Sequence, residues 1–338
     1  MKYRTIPSTG VSLSEIGFGC GGNAGLMTRG SVEEQQRVVA RALELGINYF
    51  DTAPDYGNGA AETNLGRLMR DMRFRPLLTS KVEVRKADLG DIAGHVVRSA
   101  EASLKRLGVD CLDVLQIHNG PVASAPALEG GAYAQLWIED FLKAGGALDG
   151  LTRLHRAGKA RALGFVCRGD DGPQVRRLLE TGAFHLLNLH YSLLNPTAGA
   201  AKPEGLEVDR DYGAVLNDAA AKGVGTAIYS ALASGALTDQ AVTGAPGHPL
   251  SGSGNHAPGA FGRAAKRAAA FTFLSRPGRS LAQAAFRFAL LHPGVTTVIG
   301  GFSSLEQLEE LAAAADQPPL DPADMADIAA LWRSNLRV

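Results

Sequence analysis

A chain of 338 residues with 45% hydrophobic content can bury a sizeable core, and its 34 basic residues balance 34 acidic ones. A formal net charge of zero gives no attraction to nucleic acid or to an anionic membrane surface. Three cysteines, Cys20, Cys111 and Cys167, share no CxxC spacing and are too few for a disulfide framework, which fits a reducing compartment such as the cytoplasm; no metal site is expected. The opening MKYRTIPSTG has no apolar h-region and no run of about 18 apolar residues occurs, so neither export nor a membrane span is expected.

In chain order, TIPSTGVSLSEIGFG reads as a short hairpin turning at residues 8–10. Short apolar runs then alternate with amphipathic helical stretches, the pattern of βα units around a parallel sheet. Candidate strands cover residues 15–19, 48–51, 77–81, 113–118, 160–166, 186–190, 225–230 and 296–300. The first helix, SVEEQQRVVARALEL, opens on Ser31 and Glu34 at capping-box spacing and stops before Gly46. The last, SLEQLEELAAAA, sets Ser304 and Gln307 in the same relation.

Eight such units close most naturally into a single (β/α)8 TIM barrel over residues 1–338. A doubly wound sheet would place a GxGxxG turn after the first strand, but GFGCGGNAG, residues 17–25, is not followed closely by a helix. Such a barrel needs about 250 residues. The surplus lies mainly in residues 119–150 after the fourth strand and residues 238–262 after the seventh. The latter is too rich in Gly, Pro and Ser to form an element, and both fall on the carboxyl face, where lids and specificity loops are found.

Four polar residues stand at or just past consecutive strand ends: Asp51, Tyr56, Lys81 and His118. Singly, Asp51 reads as a turn cap, Tyr56 as a rim aromatic, Lys81 as a solvated strand terminus and His118 as a satisfied rim histidine. Jointly they bring complementary groups to one rim of a closed barrel. A phenol titrates near 10, and a neighbouring ammonium is expected to lower that value. Lys81 supplies the ammonium, Asp51 keeps it charged when desolvated, and His118 orients a substrate oxygen. The set moves a proton but holds no electron source, so redox chemistry requires a cofactor.

GINYFDTAPDYG, TSK and LQIH resemble successive signatures of the aldo-keto reductase superfamily, with Asp51, Tyr56, Lys81 and His118 matching its catalytic tetrad one by one. GKARALGF, LLNLHYSLLN, AIYSALASGALT and VTTVIGGFSSLEQLEE continue the likeness over roughly residues 3–315. The resemblance implies hydride exchange between NADP, with NAD as the alternative, and a small carbonyl or alcohol substrate such as an aldehyde, ketone or aldose. It implies cofactor contacts at Asn188, Tyr191, Ser230, Leu232, Gly301, Ser303 and Gln307. Asn188 stands for a carboxamide-binding Gln, and Tyr191 for the aromatic that stacks on the nicotinamide.

Three departures are visible. Val166 and Cys167 replace the Ser and Asn that commonly hold the carboxamide, Ser303 stands where a basic residue often faces the 2′-phosphate, and Leu311 replaces an adenine-contacting Asn. Ser303 and Ser304, at a helix N-terminus, offer N–H groups and hydroxyls for a phosphate instead. The substrate rim is expected to include residues 22–26, Tyr133 and Trp137, whereas Trp332 reads as packing against the barrel. Two other readings compete: an aldolase-type barrel with a Schiff base on Lys81, and a cofactor-sensing, non-catalytic subunit resembling those of potassium channels.

Overall fold

The computed structural model describes residues 1–126, 135–168, 171–250 and 259–337. Strand β1 (Tyr3–Thr5) pairs antiparallel with β2 (Ser12–Ser14), the hairpin expected from the first residues. Strands β3 (Ile16–Gly19), β4 (Tyr49–Asp51), β5 (Leu77–Val82) and β6 (Leu112–Ile117) then run parallel in sequence order. Outside them, β7 (Gly120–Val122) pairs with β8 (Gln135–Trp137). Strands β9 (Ala160–Val166), β10 (Leu186–His190), β11 (Gly225–Tyr229) and β12 (Thr297–Gly301) complete the circle, and β12 pairs back onto β3. The eight strands form the closed parallel barrel expected from the sequence, each within about one residue of its expected bounds.

Side chains alternate across each strand, and the two faces differ in kind. One set, with Phe50, Leu78, Leu115, Leu163, Leu187 and Leu189, belongs to the large core shared with the helices. The alternate set lines the barrel. At its amino end Tyr49, Val114, Ala162, Leu186 and Ala227 form a separate apolar cluster with Ile6 and Leu13 of the hairpin, which plugs the barrel floor. Two residues further along the same faces stand Asp51, Gln116 and Asn188, all buried. The barrel interior is therefore greasy at the bottom and polar toward the carboxyl rim. Gly164 makes this possible on β9, because a Cβ there would meet Leu186 O at 2.3 Å and the Gln116 side chain at 2.9 Å.

Local signals fix the outer helices. Helix Val32–Glu44 carries the Ser31/Glu34 capping box and ends before Gly46 at φ 82°. Helix Leu305–Ala313 is capped by Ser304. The two surplus stretches hold more structure than their composition suggests. Residues 119–150 contain β7, β8, helix Ile138–Leu142 and the start of helix Ala147–Arg156. Within residues 238–262, Thr238 caps a short helix, Asp239–Val242, its Oγ1 accepting from the Ala241 N–H, and helix Ala260–Ala268 begins after Gly259. Tyr133 and residues 251–258 lie outside the described residues.

Candidate active site

A cavity of about 1420 Å³ opens over the carboxyl ends of the strands, with Asp51, Tyr56, Lys81 and His118 all in its lining. The strand register brings them together. Asp51 pairs with Thr79 on β5, so Lys81, two residues further on the same face, extends just above it. Lys81 is 1% and Asp51 3% exposed.

Lys81 Nζ donates to Asp51 Oδ1 at 2.5 Å, to the Thr52 carbonyl at 2.8 Å and to the Tyr56 hydroxyl at 3.3 Å. An isolated buried ammonium is costly to desolvate, and here a carboxylate and a carbonyl compensate it. Asp51 is held in turn through Oδ2, which accepts from Asn188 Nδ2 at 2.9 Å, while Asn188 Oδ1 accepts from Gln116 Nε2 at 2.8 Å. Because the Tyr56 oxygen accepts from Lys81, its own proton is left for another partner. The phenol's pKa departs from the sequence expectation. Burial and the carboxylates of Asp51 and Asp55 hold it well above its usual value, against a lowering contribution from Arg168, so the group is a protonated acid.

His118, one residue past β6, is 1% exposed and stands edge-on to the Tyr56 ring, 5.8 Å between centroids. Its Nδ1 lies 3.3 Å from Asp55 Oδ1, and its Nε2 lies 2.8 Å from a guanidinium nitrogen of Arg168. A guanidinium only donates, so Nε2 is the acceptor and the ring is the Nδ1–H tautomer. Burial pushes its pKa down to about 4 despite Asp55, keeping it neutral. Asp55, Glu83 and His118 each bring one ligand-type atom within 4.8 Å of one another, a cluster that no spacing in the sequence announces. Burial, with Asp55 beside it, raises the Glu83 carboxyl pKa.

The expected cofactor residues divide. Asn188, Ser230 and Gly301 line the cavity, although both ends of the Asn188 amide serve Asp51 and Gln116. Tyr191 is not in the lining: it packs behind β10 against Phe288 and His292, 5.0 and 6.1 Å between centroids. Strand alternation explains this placement, since Tyr191 follows His190, which does face the cavity, as does Tyr229 at the end of β11. Leu232, Ser303 and Gln307 are likewise absent from the lining. Ser303 is 3% exposed, its hydroxyl donating to the Ala24 carbonyl at 2.6 Å and its N–H to Gln307 Oε1 at 2.8 Å; Ser304 accepts from the Gln307 N–H. The helix caps itself with the groups expected to hold a phosphate. Arg29, Arg85, Arg168, Arg210, Arg263 and Arg267 bring further cations to the cavity lining. Sequence reasoning passed over Arg168, although its place just after a barrel strand was the same signal that marked His118. Trp332 packs as expected, its indole N–H donating to the Leu193 carbonyl at 2.8 Å. Trp137 donates to the Ala123 carbonyl at 3.1 Å.

A closed parallel barrel with its polar site at the carboxyl rim defines the class of (β/α)8 proteins. Residues 15–333 match the family model described as Aldo/keto reductase family, and the chain belongs to that family. It is 26% identical over 324 residues to an L-galactose dehydrogenase from Arabidopsis thaliana, covering 94% of this chain and 89% of that one. It is 27% identical over 346 residues to a probable voltage-gated potassium channel subunit beta from Oryza sativa subsp. japonica, covering 97% and 95% respectively. Among solved structures, an aldo-keto reductase from Bacillus halodurans in its holo form superposes with a TM-score of 0.73 at 22% identity, covering 99% of this chain and 97% of that one, a likeness of fold. Among the described residues, no helix is long and apolar enough to cross a membrane.

Proposed function

We propose that the protein is an NAD(P)-dependent oxidoreductase acting on a small carbonyl or alcohol, with Tyr56 as general acid or base. The observation that carries this reading is the Lys81 ammonium standing between Asp51 Oδ1, at 2.5 Å, and the Tyr56 hydroxyl, at 3.3 Å, in the floor of the cavity. Asp51 and Thr52 fix the lysine, the lysine fixes the phenolic oxygen, and the phenol keeps a proton to give to a carbonyl oxygen. In alcohol oxidation Tyr56 takes the proton instead, with the Lys81 charge stabilising the phenolate.

The residues present fit a nicotinamide dinucleotide. The volume of about 1420 Å³ exceeds the range of about 300–1,000 Å³ common for single small ligands, leaving room for cofactor and substrate together. Added Cβ atoms at Gly21 and Gly22 would meet nothing within 4 Å, so the backbone there is open to close approach. Ser230, Gly301 and Tyr229 would hold the cofactor, and Arg263 with Arg267 favours NADP through its extra phosphate. When bound, the cofactor supplies or accepts the hydride that the protein itself lacks.

Parallel fluorescence titrations with NADPH and NADH, followed by an aldehyde panel with the tighter nucleotide, test the reading. Saturable binding and turnover are expected, and absence of binding to both nucleotides sinks it. Binding without turnover selects the cofactor-sensing reading, which the channel-subunit relative favours. The Schiff-base reading is disfavoured because Lys81 Nζ already serves Asp51, Thr52 and Tyr56, an arrangement suited to a fixed charge rather than to attack on a carbonyl.

A further inference from the structure

We propose that Glu62 is a positioning residue for Tyr56, a role that rests on the oxidoreductase reading above. Lys81 is set by the barrel register, but Tyr56 is not, since it lies in the turn after β4 and is followed by Gly57, Asn58 and Gly59 at φ 63°, 52° and 89°. A non-glycine residue at positive φ persists only where its surroundings hold it. Here the hold comes from helix Ala60–Met72, which begins directly after the turn. The Tyr56 N–H donates to the Ala53 carbonyl at 3.2 Å, and the Tyr56 carbonyl accepts from the Ala61 N–H at 3.2 Å. The placement of the helix therefore sets the placement of the phenol.

Glu62 fixes that helix. It is fully buried, its Oε1 accepts from Ser80 Oγ at 2.5 Å, and its Oε2 accepts from Arg106 Nε at 2.6 Å. Ser80 precedes Lys81 on β5, so strand alternation turns it outward to the helix while Lys81 turns into the cavity. Arg106, on helix Ile92–Leu107, also donates to Ser103 Oγ at 3.0 Å and sets its Cδ 3.1 Å from where a Cβ on Gly59 would lie. A short path thus joins phenol to amine: the Tyr56 carbonyl to Ala61, Ala61 to Glu62, Glu62 to Ser80, and Ser80 to Lys81. The 3.3 Å contact of Lys81 Nζ with the Tyr56 hydroxyl closes the ring. Elsewhere this helix is buried through Leu65 and Leu68, so packing alone does not call for a carboxylate, which is costly to desolvate. Its directed bonds fix one register of helix against strand.

Facing Tyr56 are Asp51 from β4, Lys81 from β5, Asp55 from its own turn, and Cys20, His118 and Arg168 from just past neighbouring strands. Lys81 bonds the phenolic oxygen itself. When Tyr56 takes a proton in alcohol oxidation, the ammonium stabilises the phenolate it starts from, and that attraction weakens as the distance grows. Loosening the helix lengthens the contact, so the phenol's pKa, already held high by burial and Asp51, rises further. Glu62 is absent from the cavity lining, so its loss acts on the chemical step rather than on binding.

The test compares the wild type with Glu62→Gln, Ser80→Ala and Ser80→Thr, each checked for folding by circular dichroism. Ser80→Ala removes a single hydroxyl, so it carries the test should Glu62→Gln fail to fold. First, crystal structures read the geometry without any need for activity. In Ser80→Ala the Tyr56 hydroxyl is expected beyond about 3.5 Å from Lys81 Nζ, with the Lys81–Asp51 contact retained, and a phenol still within hydrogen-bond reach overturns the inference. Second, kcat for an aldehyde is expected to fall about tenfold or more, on the scale of a misplaced reacting group, with KM and NADPH affinity within about twofold. The pH midpoint of alcohol oxidation is expected to move up by about 0.5 or more. Ser80→Thr keeps the hydroxyl and is expected to restore both. A kcat within about twofold of the wild type, an unmoved midpoint or a matching loss of NADPH affinity overturns the inference. A wild type that binds nucleotide yet reduces no aldehyde refutes the oxidoreductase reading instead, with the crystal distances still judging the Glu62 link.

Discussion

Asn188 Nδ2 donates to Asp51 Oδ2 at 2.9 Å, a bond that spans 137 residues of sequence and crosses the barrel interior. It orients the carboxylate whose other oxygen holds Lys81. A residue expected to contact cofactor thus also supports the Asp51–Lys81 pair from below. Asn188→Leu removes the donor to Asp51 and the acceptor of Gln116 Nε2 together. Each buried group left unpaired costs about 1–3 kcal/mol. Urea unfolding should show a lowered midpoint with an unchanged slope, and an unmoved midpoint would refute the network's role.

Tyr56→Phe deletes one hydroxyl and preserves the ring that stands edge-on to His118. Carbonyl reduction should fall about 10²- to 10⁴-fold, the usual contribution of a positioned acid. NADPH affinity should stay within about threefold, since no cofactor contact is assigned to that oxygen. Retained turnover would remove Tyr56 from the chemistry.

Lys81→Met leaves the Asp51 carboxylate buried without its cation. Breaking a buried pair on one side costs about 3–5 kcal/mol. Adding Asp51→Asn should recover much of the loss. Urea denaturation of the two variants checks both statements.

His118 is buried with its pKa depressed to about 4, whereas the unfolded chain titrates near 6.5. Between those values the unfolded state binds the proton and the folded state does not. Stability contributed by the neutral imidazole is therefore full above about pH 6.5 and lost progressively as pH falls toward about 4. His190, also depressed to about 4 by burial and Arg210, acts in the same direction. His118→Gln should flatten part of this acid limb, and an identical limb in the variant would assign it elsewhere.

Arg263→Gln should weaken NADPH about 10-fold or more, the value of a lost charge-assisted contact, and weaken NADH much less. Equal effects on both nucleotides would place Arg263 away from the extra phosphate.

Much of this was legible in the chain because the signals are local. Alternating apolar runs marked the barrel strands, Ser31 with Glu34 and Ser304 with Gln307 marked helix starts, and position at or just past a strand end marked Asp51, Tyr56, Lys81 and His118. Period-two alternation also explains why Tyr191 lies off the cavity: a shift of one residue turns a side chain from cavity to outer core, and a motif read as a block does not say which of two neighbours faces in.

By itself, the sequence determined the barrel, its polar carboxyl rim and the four groups gathered there, because side-chain periodicity and strand-end position are properties of neighbouring residues. The folded molecule alone decided which of those groups bond to which. The Tyr56 phenol stays protonated because burial and two carboxylates outweigh the nearby cation. His118 turns its Nε2 to Arg168, and Ser303 turns inward to Ala24. Desolvation and hydrogen-bond partnership depend on groups far apart in the chain, and no local pattern encodes them.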